Sequence, residues 1–145
     1  MKIALSIIFI LTLNTVFGQS ESEYHIDVEL TECLDIEKNY TTSGMTQCII
    51  DTTTRWDERL NKSYQALVKT LSIEQKKILI NAQKLWIAYR DKEIEFSHQL
   101  YNDIQGTMWI PISAETKLNL TRHRTLELES YLDNKTIGNL PLVHE

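Results

Sequence analysis

The chain has 145 residues, of which 42% are apolar and 24% charged, with four Gly and two Pro. That is the size of one ordinary domain able to bury a core, and it excludes a collagenous, low-complexity or wholly disordered chain. A formal charge of -5 argues against a nucleic-acid binder, whose affinity rests on Lys and Arg neutralising phosphates.

Residues 1–18 read as a secretory signal peptide: Lys2, an apolar stretch from Ile3 to Leu11, and Val16, Phe17 and Gly18 before a cleavage point. The uncharged stretch is short of a membrane span, and no Cys follows it to carry a lipid. The mature protein is expected to begin near Gln19, to be periplasmic or secreted, and to carry no membrane span.

Residues 19–43 form an acidic N-terminal arm. Glu21, Glu23, Asp27, Glu29, Glu32, Asp35 and Glu37 follow one another with no Lys or Arg among them. Two readings stand: a solvated stretch that aids solubility, or a surface that attracts a cationic partner. Cys33 and Cys48 are the only cysteines, and outside the cytoplasm such a pair predicts a disulfide that ties the arm to the first helix.

Residues 44–133 read as helices. From Met45 to Leu71 a stripe runs through Ile49, Trp56, Leu60, Tyr64, Leu67 and Leu71 at helical spacing. Ser72 with Gln75 three residues on is a capping box, and a second helix then carries Leu79, Ala82, Trp86, Tyr89, Phe96 and Leu100 as far as Asn102. So short a connection predicts that the two helices are antiparallel neighbours. Gly106 and Pro111 bracket a connector, Ser113 is placed to cap a third helix through Leu118, Thr121, Thr125, Leu128 and Leu132, and residues 134–145 read as a flexible tail. The fold class is all-α: a small bundle of about three helices with a disulfide-tied arm.

The strings HID at 25–27, GMTQC at 44–48, WDERLNKSY at 56–64, AQKLWIAYRD at 82–91, GTMW at 106–109 and RTLEL at 124–128 resemble the lysozyme inhibitor LprI-like family of secreted bacterial proteins. The match covers nearly the whole mature chain. The resemblance implies an all-helical fold outside the cytoplasm, and the family name derives from a member that inhibits lysozyme. Many relatives carry a second cysteine pair, here replaced by Ile94 and Thr116, which implies a disulfide only at the other end of the fold.

Asp57, Asn61 and Tyr64 share one helical face, as do Gln83, Trp86 and Arg90; with Arg124 they are expected to form a structural polar network, or alternatively a ligand site. Glu95 and His98 make a single ExxH whose second copy is missing, so no metal site or cofactor is expected. No nucleophile elbow, phosphate loop or HExxH occurs, and the chain is not expected to be an enzyme. Trp109 in the connector is either a lid on the bundle or a partner contact.

The function expected is that of a secreted or periplasmic binding protein that occludes a lysozyme, with Glu29, Glu32, Asp35, Glu37 and Trp109 as partner-binding residues. An envelope interaction module with a different protein partner is the alternative.

Overall fold

The computed structural model describes residues 24–138 and consists of helices: α1 (His25–Leu34), one 3-10 turn (Glu37–Asn39), α2 (Thr42–Thr70), α3 (Ile73–Asn102) and α4 (Trp109–Ile137). No strand occurs among the described residues. The proposed signal peptide and the end of the tail lie outside them.

Among the described residues there are four α-helices rather than about three, and the additional one lies inside the acidic arm. Ten residues make a marginal helix by themselves, so α1 depends on what it packs against. Ile26 and Leu30, four apart, join Tyr24 on a buried cluster of Ile49, Trp56 and Leu118. The Cys33–Cys48 disulfide, with its Cα atoms 5.9 Å apart, anchors the far end of α1 to α2. Asn39 Nδ2 donates to the Cys33 carbonyl at 2.8 Å and so satisfies one of the acceptors left free where α1 stops.

Between α1 and α2 the chain turns tightly. The Thr41 hydroxyl accepts from the Gly44 amide at 3.0 Å and caps α2. Position 44 has room only for glycine, because a Cβ there would stand 2.5 Å from the Asn39 Cα. At its other end α2 stops at extended Leu71, and the Ser72–Gln75 capping box starts α3.

α2 and α4 make the closest helix pair. They run parallel: Thr42 meets Thr107, the Thr125 hydroxyl reaches the Trp56 carbonyl at 3.3 Å, and Arg59 meets Glu129. Small buried residues, Thr52, Thr53, Ser63, Thr121 and Thr125, allow that approach. The hydroxyls of Thr52, Thr53 and Thr121 return to carbonyls one turn back at 2.7–2.8 Å, so burial leaves no orphan donor there.

α3 returns antiparallel, but it stands farther from α2 than the two-residue connection predicts; its main neighbour is α4. Bulky Trp86 and Arg124, with Gln83 and Arg90, fill the space beneath it. Leu79 and Trp86 reach the lower cluster of Leu60, Leu67 and Leu128. The predicted α3 stripe mixes two faces: Leu79 and Trp86 point inward, whereas Ala82, Tyr89, Phe96 and Leu100 are exposed. The error arises because α3 carries apolar residues around most of its circumference, so periodicity alone does not select the packed side.

α1 and α3 lie on opposite sides of the α2–α4 pair, since Arg55 and Arg59 of α2 face α1 while Asp57 and Tyr64 face α3. α4 begins at Trp109 rather than Ser113, because Pro111 falls in its first turn, where the missing amide hydrogen has no helical partner to lose. It continues to Ile137, four residues past the predicted end at Asp133. The positions of the absent cysteine pair are not at the opposite end from Cys33–Cys48. Thr116 meets Ser97, one turn from Ile94, at 2.8 Å, and Leu118 packs on Ile49 beside Cys48. Both places lie at the same level, on opposite sides of the central pair.

Candidate functional site

Two polar clusters flank the central pair, and several residues of the expected polar network fall in the one on the α3 side. On the α3 side, Arg124 is 8% exposed and donates to Gln83 Oε1 at 3.0 Å. Arg90 and Arg124 stand 5.2 and 5.9 Å from the Trp86 ring centre, so one indole faces two guanidinium groups. Arg90 also approaches Asp57 at 4.0 Å. Asn61, by contrast, bonds back to Asp57 of its own helix, and Tyr64 packs with the lower apolar cluster. Glu127 and Tyr131, absent from the expected set, extend the chain: Arg124 donates to Glu127 at 2.6 Å and Tyr131 donates to it at 2.9 Å. Burial pushes the Glu127 carboxyl up, but the Arg124 and Tyr131 hydrogen bonds and the Arg124 charge outweigh it and hold the group below its ordinary value. The hydrogen bond to Glu127, then the negative charge of that carboxylate, pushes the Tyr131 phenol up.

On the α1 side, Asp27 accepts from the Trp56 indole at 3.0 Å and from Arg122 at 2.9 Å. Glu129 accepts both Arg59 Nε and Nη2, at 2.8 and 2.9 Å, and the Ser63 hydroxyl at 2.9 Å. The bond to Glu129 comes first among the causes that hold the Arg59 guanidinium above its ordinary value. Tyr24 meets Trp56 edge to face, centroids 5.5 Å apart, and Arg59 lies 4.9 Å from the Tyr24 ring centre. The WDxRL string marks Trp56 and Arg59, but their partners are far away in the chain.

These contacts divide the acidic arm. Asp27 is taken by Arg122, and Glu29 by Arg55 and His25. Glu32, Asp35 and Glu37 remain exposed. Of the expected partner-binding carboxylates, therefore, Glu29 is engaged within the fold and three face solvent. Trp109 is half-buried: it stacks on Tyr101 with centroids 5.5 Å apart and donates its indole N–H to the Gln105 carbonyl at 3.1 Å. Its neighbours Met108 and Ile110 are 61% and 54% exposed. Gly106, at φ 109°, makes the turn that presents them.

The Thr42–Thr107 hydrogen bond, 3.1 Å, brings this connector to the start of α2, the end of the bundle that also holds the 3-10 turn. Exposed carboxylates and an exposed apolar segment thus share one end of the molecule. An open groove of about 690 Å³ lies beside the apolar segment, lined in part by Glu95, His98, Tyr101, Trp109 and Ile110. Among the described residues no group of three or more His, Cys, Asp or Glu is placed to hold a metal ion, and no helix is long and apolar enough to cross a membrane.

A family model described as lysozyme inhibitor LprI matches residues 27–128. The chain belongs to that family. It is also similar to the crystal structure of an uncharacterized protein from Burkholderia thailandensis, with 30% identity and a TM-score of 0.73; the match covers 79% of this chain and 56% of that one. This chain therefore spans just over half the length of that relative. No curated protein matches it at a significant level.

Proposed function

We propose that the protein is a secreted or periplasmic binding protein that occludes a lysozyme. Membership of the LprI family supports this class of function. The observation that carries it for this chain is the shared end of the bundle, which bears the exposed Glu32, Asp35 and Glu37 and also the exposed apolar Met108 and Ile110. Lysozyme cuts between two carboxylates, and common lysozymes are strongly basic. An acidic edge speeds the encounter with such an enzyme, and a protruding apolar segment supplies contact that excludes water from the cleft.

The test is a titration of the purified, oxidised protein against chicken-type, goose-type and invertebrate-type lysozymes, with association rates followed as salt is raised. Saturable binding to one class is expected, with salt acting chiefly on the association rate. Absence of binding to all three removes this reading, and binding indifferent to salt removes the role given to the carboxylates.

A further inference from the structure

We infer that α3 is a self-association surface, on which a second copy of this chain packs antiparallel about a two-fold axis at Tyr89. The flank of α3 beside its packed face carries Ile78, Ala82, Leu85, Tyr89, Phe96 and Leu100, all exposed; Ile78 is 71%, Leu85 64% and Phe96 62% accessible. These positions follow one side of the helix over about 33 Å at 1.5 Å per residue. Scattered surface apolar residues are ordinary, but six aligned along one side of a helix over this length are not.

The spacing selects a second copy as the occupant. Ile78 and Leu100 stand eleven residues on either side of Tyr89, and Ala82 and Phe96 seven on either side. An isologous contact requires such a self-complementary patch. Antiparallel pairing at Tyr89 sets Ile78 against Leu100 of the second copy and small Ala82 against its bulky Phe96. Leu85 has no apolar counterpart on its own helix, where Lys92 and Glu93 interrupt the stripe. In the pair, Leu85 enters that gap between Tyr89 and Phe96 of the second copy. The stripe offers on the order of 600 Å² per copy, enough to reach the lower range of specific interfaces. The inference needs no lysozyme and stands apart from the proposed function.

The experiment is sedimentation equilibrium of the oxidised protein from about 1 to several hundred micromolar, a span that covers weak dimers. Wild type, Leu85→Glu, Phe96→Glu and Ile80→Glu on the other flank of α3 are compared, with helicity checked by circular dichroism. The inference expects reversible dimers, dissociation constants raised at least about 30-fold by either of the first two changes, and little effect of the third. It also expects Tyr89→Cys, on the axis, to yield a covalent dimer under oxidation while Ile87→Cys does not. A wild-type monomer throughout, or equal weakening by Ile80→Glu, overturns it.

Discussion

Asp27 of α1 and Arg122 of α4 are 95 residues apart in the chain and 2.9 Å apart in space. The other oxygen of the same carboxylate accepts the Trp56 indole of α2, so one acidic side chain fastens the N-terminal helix to both members of the central pair.

Replacing Asp27 by Ala is therefore expected to lower stability by about 2 kcal/mol, through one broken ion pair and a buried indole donor left unsatisfied. Urea unfolding of Asp27→Ala, Arg122→Ala and the double variant checks this. A coupling of about 1 kcal/mol or more is predicted, and strict additivity contradicts the contact.

Reduction of Cys33–Cys48 opens a loop of fifteen residues. In the chain-entropy model its loss is worth about 3 kcal/mol, and α1 is the element freed. Hydrogen exchange of the Cys33→Ser/Cys48→Ser variant is expected to show lost protection in α1, with the α2–α4 pair still protected.

Gly44→Ala forces a Cβ into the Asn39 backbone, which has no flexible side-chain end to yield. A loss of about 1–3 kcal/mol is expected, since overpacking shifts backbone. Thermal unfolding of the oxidised variant reads it directly.

The Glu127 carboxyl sits below its ordinary value of 4.5, so its contribution to stability is present above that pH and is lost as pH falls through the lowered value. The Tyr131 phenol sits above its ordinary 10.0, so its contribution is present below that pH and is lost as pH rises through the raised value. Both side chains are about half exposed, so solvent screening keeps these effects small. Glu127→Gln is expected to flatten both limbs of the plot of urea midpoint against pH; a variant that keeps both limbs contradicts the assignment.

Helix content, the capping box at Ser72 and the disulfide were legible because each is carried by a local signal: apolar spacing, two residues three apart, and a lone cysteine pair in a sequence expected outside the cytoplasm. α1 was hidden by its own charge. Its carboxylates read as solvated, and the arginines that take two of them, Arg55 and Arg122, come from helices whose placement no local pattern states. The same limit applies to Glu129, which meets Arg59 and Ser63 across 70 and 66 residues. The close approach of α2 to α4 was legible only from α4, whose stripe held Thr121 and Thr125; buried Thr52, Thr53 and Ser63 of α2 look like surface residues until their hydroxyls are seen returning to the backbone. In the candidate site, the acidic edge was visible as composition, but which carboxylates stay free was decided by tertiary pairing.

The most direct measurement is inhibition of cell-wall lysis by the wild-type protein and by the variant Glu32→Gln/Asp35→Asn/Glu37→Gln, titrated against whichever lysozyme class binds. Stoichiometric inhibition by the wild type is expected, with a variant that folds equally well but associates at least about tenfold more slowly at low salt. Equal inhibition and equal association rates for the two proteins would contradict it.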